Sequence, residues 1–362
     1  MKSFGLWYQD ITNQQENQDI PVPKFCLHVN FWSLEDIKTS DNITTPYLDI
    51  GIKIENYHSL ENFIFYCPFT LKEDDIIDLS NKLETKNNAN IIFNTECDIQ
   101  TKDNYTIIEL TDKSERLLVF PLKQVVGDVY ELGVESPETG TKLLFKFKEF
   151  LNYINNVNEL NNLKVVYIRF RIKNSSLNKQ IFFDSEPLNK SFESAFSGTR
   201  IIDFKINEKR NIERDIRAKI IVEKQKWITL QNVHFLVMVP SSYDLTSFYN
   251  SPMTCRELEE NLWDDYLNTR INFNKVHVLA YHWKNSEPKE DFSCLVKINY
   301  SKAKRITILA YALSVVALGI ISSAIFTALN SVTSKIFLAT IFELLLGAVL
   351  LILAFVLGKF QK

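Results

Sequence analysis

The sequence predicts an α+β fold in which a strand-rich region with few helices is followed by a two-helix transmembrane hairpin. Two observations predict it. Much of residues 1–300 alternates apolar and polar side chains with a period of two, which is typical of half-buried strands. Residues 306–329 and 336–357 form two long apolar runs. The first has no charged residue, and the second has one, Glu343. We therefore expect a soluble region joined to a membrane-inserted tail.

Strands are predicted wherever alternation coincides with β-branched and aromatic residues. The predicted strands are Tyr47–Ile54, Asn62–Phe69, Tyr105–Leu110, Arg116–Leu122, Val165–Lys173, Ile201–Ile206, Trp227–Val239 and Val276–Trp283. A hairpin is predicted where Val129–Val134 and Leu143–Phe147 flank the turn sequence ESPETGT.

Helices are fewer. Amphipathic or charged periodicity predicts them at Lys72–Leu83, Phe147–Val157, Glu208–Lys224 and Cys255–Leu267. The last one follows Thr254, which forms a T-x-x-E capping box with Glu257. The amide-rich stretch NNVNELNNL at 155–163 predicts a seam, which gives domains at 1–157, 158–300 and 301–362.

Charge is unevenly distributed along the chain. Residues 301–362 hold six of the 41 basic residues and one of the 44 acidic ones, so residues 1–300 carry a net charge of −8. An acidic soluble region argues against direct binding of nucleic acid. The five cysteines are scattered without a CxxC pair, which predicts free thiols in a reducing cytoplasm.

The tail predicts the location of the protein. Each apolar run exceeds the roughly 20 residues that a helix needs to cross a bilayer, and Asn330–Lys335 is a short polar turn between them. Basic residues flank the outer ends of the pair at Lys302, Lys304, Arg305, Lys359 and Lys362. The positive-inside rule then places both termini in the cytoplasm, with the hairpin in the inner membrane.

No motif for nucleotide, metal or hydrolase chemistry is present, so we expect no enzyme activity, cofactor or metal. His277 and His282 fall five residues apart on a predicted strand and should point to opposite faces as structural histidines. The clearest binding pattern is Arg169, Arg171 and Lys173 on one strand face, with Arg210 further along the chain.

This basic cluster has two interpretations. It could bind an anionic ligand or an acidic partner. Alternatively it is a solvated face paired with acids such as Glu208, Glu213 and Asp215, and this second interpretation is the favoured one.

Glu343 lies near the middle of the second span, where a charge costs about 2.5–3.5 kcal/mol. It should therefore face another helix. Ala339, Gly347, Ala354 and Gly358 share its face, and Gly319, Ser323 and Thr327 form a second stripe of small residues on the first span. Either Glu343 is protonated and bonded within its own hairpin, or glutamates from several chains line a hydrated path.

This layout, a soluble sensing region joined to a two-helix membrane module without a catalytic motif, resembles that of membrane-acting effectors of prokaryotic anti-phage systems. These include effectors controlled by cyclic nucleotides, an Argonaute or a reverse transcriptase. The resemblance implies a homo-oligomer that perturbs the bilayer when a ligand or protein partner is sensed. The alternative is a passive membrane-anchored adaptor that recruits a soluble partner.

Overall fold

The computed structural model describes residues 2–11, 21–35, 37, 43, 46–102, 105–122, 133–135, 140–155, 157, 159–160, 162–185, 197–247, 253–271, 277–301, 305–330 and 334–359. The chain forms two compact units. The strand-rich unit comprises Met1–Phe183 and Ile201–Ile298, and the helical unit comprises Asp184–Arg200 and Asn299–Lys362.

Nineteen strands are found in the part of the chain that the structure describes. They are β1 (Gly5–Asp10), β2 (Lys24–Trp32), β3 (Tyr47–Glu55), β4 (Leu60–Cys67), β5 (Ile76–Asp78), β6 (Cys97–Lys102), β7 (Tyr105–Leu110), β8 (Glu115–Phe120), β9 (Gly133–Glu135), β10 (Thr141–Phe145), β11 (Val165–Ile172), β12 (Phe182–Ser185), β13 (Ser197–Ile206), β14 (Lys226–Trp227), β15 (Leu230–Pro240), β16 (Asp244–Ser247), β17 (Met253–Glu257), β18 (Val278–Asn285) and β19 (Phe292–Ser301).

The helices are shorter in the strand-rich unit and long in the helical unit. They are α1 (Lys86–Phe93), α2 (Phe147–Asn155), α3 (Leu177–Gln180), α4 (Arg214–Val222), α5 (Asp264–Leu267), α6 (Arg305–Asn330) and α7 (Ser334–Lys359). The chain is thus strand-rich α+β, as the sequence predicts.

The strands form three sheets. The largest has the order β17-β18-β15-β2-β3-β11-β8-β7-β6, with β5 also paired to β11. A second sheet has the order β14-β1-β4-β10-β9, and a third has the order β12-β13-β19-β16. In the largest sheet β2 pairs in parallel with β15, about 200 residues further along the chain, so its centre is closed by long-range pairing.

Aromatic side chains fill the space behind one face of the large sheet. Phe170 of β11 packs on Phe65 of β4 with ring centroids 5.3 Å apart. Phe235 of β15 stacks on Phe204 of β13 at 5.2 Å. Buried rings of this kind dominate core energetics. With its apolar face occupied, the sheet presents the opposite face of its central strands to a cleft.

Most strand predictions are confirmed within one or two residues, including both strands of the hairpin where they are described, since β9 pairs with β10. Residues 129–132 and 136–139 of that prediction lie outside the described residues. The predicted seam at 155–163 is wrong. Strands on either side of it, β3 and β11, are neighbours in one sheet, so residues before and after it share one unit.

Two helix predictions are wrong, and strand pairing explains both. Within Lys72–Leu83, β5 pairs with β11, and only 3₁₀ turns flank it. Within Cys255–Leu267, the capping-box residues lie in β17, which pairs with β18, and only α5 is helical. Helices α2 and α4 confirm the cores of the other two predictions.

The helical unit contains two long helices, α6 and α7. In α6, Ile308–Thr327 is long and apolar enough to cross a membrane, with a mean hydropathy of 2.3. In α7 the described apolar part is shorter, Thr340–Val356. Of the residues used to predict orientation, Lys302, Lys304 and Lys362 lie outside the described residues, as do 331–333 of the predicted turn.

Candidate functional site

A cleft of about 650 Å³ lies on the large sheet of the strand-rich unit. Its floor is built by strands β2, β3, β11, β15, β17 and β18, and α1 with the segment after it covers one side. Alternation in β2 explains the polarity of the floor. Cys26, His28 and Asn30 face the cleft, whereas Phe25, Leu27 and Val29 are buried.

The floor changes character along the strands. At one end Cys26 of β2 pairs in register with Asn232, and His234 pairs with Lys284 of β18. At the other end Met238 pairs with Ala280. The cleft therefore has a polar, cationic end and an apolar end that also includes Leu258 and Trp263.

A buried carboxylate, Asp49 of β3, organises the sheet beside the cleft. It accepts hydrogen bonds from Arg171 Nε at 2.6 Å and Nη2 at 3.0 Å, from Trp32 Nε1 at 2.9 Å and from the Tyr266 hydroxyl at 2.7 Å. Burial raises the pKa of Asp49, but the Arg171 guanidinium outweighs burial and holds the pKa below its usual range. The Arg171 cation also lies 4.8 Å from the Tyr47 ring, so it is fully enclosed.

Arg169 lines the cleft and is only 1% exposed, yet its bonding partners are neutral. Its Nε donates to the Tyr266 hydroxyl at 2.8 Å and its Nη1 to the Tyr167 hydroxyl at 2.9 Å. The Asn30 side-chain oxygen accepts a hydrogen bond from Nη2 at 2.9 Å when the amide is oriented so that its nitrogen donates to the Val29 carbonyl oxygen. Within the described residues no carboxylate forms an ion pair with Arg169, and Asp49 acts on it only at longer range.

Gly51 of β3 makes room for this arrangement. A Cβ at this position would lie 2.2 Å from the Tyr167 hydroxyl and 3.0 Å from Arg169 Nη1. The two side chains therefore lie across the bare backbone of β3. This is a close approach that only glycine permits.

We expect Gly51→Ala to destabilise the strand-rich unit by about 1–3 kcal/mol, the usual cost of overpacking. The added methyl group must displace Tyr167 or Arg169. In a double-mutant cycle, Tyr167→Phe should recover part of the loss because it removes the nearest atom. Urea denaturation of the four variants gives the coupling energy, and strictly additive losses would contradict this geometry.

Three histidines cross the floor on neighbouring strands. His28 and His234 pack edge to face with ring centroids 5.0 Å apart, and His234 Nδ1 lies 3.0 Å from His282 Nε2. The Tyr167 hydroxyl lies 3.3 Å from His28 Nδ1. Since Tyr167 accepts a bond from Arg169, its proton is free to point to His28. Among the described residues no group of three His, Cys, Asp or Glu side chains could hold a metal ion.

Burial is the main cause that lowers the pKa of all three imidazoles. A neighbouring histidine is the next cause for His28 and His234, and the pKa of His234 falls to about 4. For His282 the next cause is the Lys284 ammonium. The folded chain therefore keeps the imidazoles neutral, while the unfolded chain protonates them below about pH 6.5. Folding stability should fall from pH 7 towards pH 4 because the unfolded state binds more protons. Lys284 and Lys113 add to the effect on His234.

His234→Gln should weaken this pH dependence. We expect the loss of unfolding free energy between pH 7.5 and 5.0 to be smaller in this variant than in the unaltered chain, measured by urea denaturation. His277→Gln removes an exposed imidazole that contacts Glu257 outside the cleft and is the matched control. An unchanged slope in His234→Gln would contradict the assignment.

The predicted basic cluster is divided by the structure. Of its four members only Arg169 lines the cleft. Arg171 is enclosed with Asp49, Lys173 is exposed with its ammonium 5.4 Å from the Tyr47 ring, and Arg210 pairs with Glu208 in a 3₁₀ turn. The interpretation of a solvated strand face is wrong for Arg169 and Arg171, because β11 is central and buried on both faces.

Several cleft residues were not predicted. The prediction for His282 as a separate structural histidine misses its contact with His234. Cys26, His28 and Lys53 in the cleft, and Asp49 beside it, were not singled out. A usable signal existed, since KFCLHVNFW and YLDIGIKIE each place polar residues on one face of an apolar strand. That signal marks a face but not its neighbours. The parallel pairing of β2 with β15 is needed to bring the histidines together.

Lys53 closes the polar end of the cleft as part of an ion-pair group with Glu55, at 3.2 Å, and Glu115, at 2.5 Å. Burial opposes its charge, but the two carboxylates outweigh burial and raise the pKa of Lys53.

The cleft lining carries more basic than acidic side chains. The five basic ones are Lys53, Lys113, Arg169, Arg256 and Lys284, and the two acidic ones are Asp112 and Glu115.

In the helical unit, α6 and α7 pack through small residues that recur every seven positions. The buried positions are Ala310, Ala317 and Ala324 of α6 and Thr340, Gly347 and Ala354 of α7. A Cβ on Gly347 would lie 2.5 Å from Ile321 Cγ1 and 3.3 Å from the Ala317 carbonyl oxygen. Heptad spacing of this kind is typical of helices that cross at a shallow angle.

The predicted stripe on α7 is confirmed at Gly347 and Ala354, whereas Ala339 and Gly358 lie outside the residues whose side chains are described. The stripe on α6 is wrong as a packing face. Gly319 has no neighbour within 4 Å of an added Cβ, since it lies two residues, about 200° of helical rotation, beyond Ala317. Ser323 is exposed, and the Thr327 hydroxyl donates to the Ser323 carbonyl oxygen at 2.9 Å.

Glu343 lies between Thr340 and Gly347, one turn from each, and is half-buried. Its Oε2 atom is shielded from solvent, and no described polar group bonds to it. Neither the Ser323 nor the Thr327 hydroxyl bonds to Oε2. A single helix pair leaves this carboxyl group with an unused bonding position.

Comparison with known proteins finds no family model that matches the chain and no curated protein with significant similarity.

Proposed function

We propose that this chain is a membrane-anchored effector: the strand-rich unit senses a ligand or partner, and the α6–α7 pairs of several chains then assemble in the inner membrane and perturb it. One observation carries the proposal. Within the described residues, most of the exposed large apolar side chains lie on these two helices, including Val315, Phe326, Phe342 and Phe355.

An apolar surface of this extent suits lipid. Soluble proteins seldom expose contiguous apolar patches beyond a few hundred Å², and the outer faces of both helices are apolar along their length. The 26 residues of each helix span about 39 Å at the helical rise, which exceeds a hydrocarbon core of about 30 Å. This supports a second span in α7 beside the span in α6.

Cytoplasmic termini are proposed from the basic flanks of the pair. The same placement puts the strand-rich unit in the cytoplasm, in agreement with its free cysteines.

Glu343 supports assembly over passive anchoring. A passive anchor needs only apolar helices, and a carboxyl group near the bilayer centre costs about 2.5–3.5 kcal/mol on insertion. Its Oε2 is buried without a described bonding partner, a cost that a purely passive anchor has no reason to carry. The account therefore gives Glu343 a role in assembly or conduction.

Comparing Glu343→Leu with Glu343→Gln tests the proposal. Leu should insert at least as well as Glu but lose oligomer formation and depolarisation, whereas Gln should keep assembly and change conduction. Carbonate extraction, cross-linking in membranes and a potential-sensitive dye give the three readouts. If Glu343→Leu is fully active in all of them, Glu343 has no role and a passive adaptor anchor becomes the better account.

A further inference from the structure

We propose that the cleft of the strand-rich unit binds a phosphate-bearing small molecule with a planar body, a nucleotide, with its phosphate at Arg169. This inference gives the ligand class for the sensing step of the proposed function. Binding itself depends only on the strand-rich unit.

The first argument is the unbalanced charge of Arg169. Arg171, on the same strand face, has Asp49 as a bidentate partner. Arg169 is equally buried but bonds two hydroxyls and an amide, which carry no charge. An enclosed cation without a directly bonded counter-charge is costly. An anion in the cleft would provide that counter-charge, and a guanidinium fork matches phosphate oxygens well.

The second argument is the position of the surrounding charges. Lys284 lies on a floor strand at the same polar end as His28 and His234, and Lys113 lies in the segment that borders it. The charge of Lys53 at this end is already matched by Glu55 and Glu115. Basic side chains outnumber acidic ones in the lining, so the end of the cleft near Arg169 attracts a multiply charged group rather than a single carboxylate.

The third argument is shape. The volume of about 650 Å³ falls within the range of small-molecule sites. From the cationic end the floor becomes apolar over two to four residues along each strand, from His234 to Leu236 and Met238 and from His282 to Ala280, with Trp263 nearby. Phe93 covers the cleft from α1. An anionic head and a flat, largely apolar body therefore fit this gradient together.

Calorimetric titration of the full chain in lipid nanodiscs tests the inference, with AMP, ADP, ATP, inorganic phosphate and adenosine as probes. We expect saturable binding of at least one nucleotide and at least tenfold weaker binding of adenosine. Arg169→Met should weaken nucleotide binding at least tenfold. Lys173→Met, a change one residue beyond the end of β11 and outside the cleft, should leave it unchanged.

Lys284→Met, at the open polar end, provides a second variant in case Arg169→Met fails to fold, and it should also weaken binding. The inference is overturned if no nucleotide binds the folded chain at millimolar concentration, if adenosine binds as well as AMP, or if Lys284→Met has no effect. Nucleotide binding without any membrane response would instead leave the cleft assigned and count against the effector function.

Discussion

Asp49→Ala is expected to lower the free energy of unfolding of the strand-rich unit by about 3–5 kcal/mol, the usual cost of removing one partner from a buried ion pair. The variant leaves the Arg171 guanidinium enclosed without a counter-charge, and it also removes the acceptor for Trp32 and Tyr266. A loss of this size corresponds to a decrease in Tm of about 10 °C for a unit of this length.

Two comparisons separate this effect from a general loss of an acidic residue. Asp98→Ala removes an exposed carboxylate that pairs with Lys86 and should cost at most about 0.5 kcal/mol. The double variant Asp49→Ala, Arg171→Met removes both charges and should recover part of the loss. Chemical denaturation measures all four proteins. A loss below about 1 kcal/mol for Asp49→Ala would contradict the enclosed network.

The second large effect is expected in the helical unit. Gly347→Val should separate α6 from α7, because its side chain would enter the space held by Ile321 and the backbone of Ala317. Gly319→Val adds the same side chain to the other helix at a position with no neighbour within 4 Å. It is therefore the matched control for the packing of one hairpin.

Cross-linking across the pair provides the readout. In an antiparallel pair with Gly347 beside Ala317, Ala310 and Ala354 lie at one level, seven residues away on each helix. Cysteines at these two positions, with the exposed Cys255 replaced by serine, should form a disulfide in membranes. We expect the yield to fall at least fivefold with Gly347→Val and to be kept with Gly319→Val. Equal yields in both variants would contradict the small-residue seam.

The sequence predicts local structure better than it predicts the site. Alternation locates strands such as β7 and β11 because each presents a face of apolar side chains to the core. It cannot show that β5 and β17 are strands, since their pairing with β11 and β18 overrides a helical pattern. Nor can it show which of the two buried arginines of β11 forms an ion pair with a carboxylate. Arg169 and Arg171 are alike in sequence, and only the partner strand, with Gly51 opposite one and Asp49 opposite the other, distinguishes them.

The tail shows the same limit. Two apolar runs are unmistakable in the sequence, but small residues occur on several faces of each helix. Ala317 packs against α7 at Gly347, whereas Gly319 has no neighbour within 4 Å of an added Cβ. This difference depends on how each helix is rotated about its own axis. Composition alone does not determine that rotation.

Forced clustering in cells tests the central claim most directly, because it replaces the unidentified trigger. A domain that oligomerises on addition of a small molecule is fused to the N-terminus of the full chain, and membrane potential is followed after addition. The account predicts rapid depolarisation in the unaltered chain and little or none in Glu343→Leu, with equal amounts of both proteins in the membrane. A chain that resides in the membrane and clusters on addition, yet leaves the potential unchanged, would contradict the effector function and favour a passive anchor.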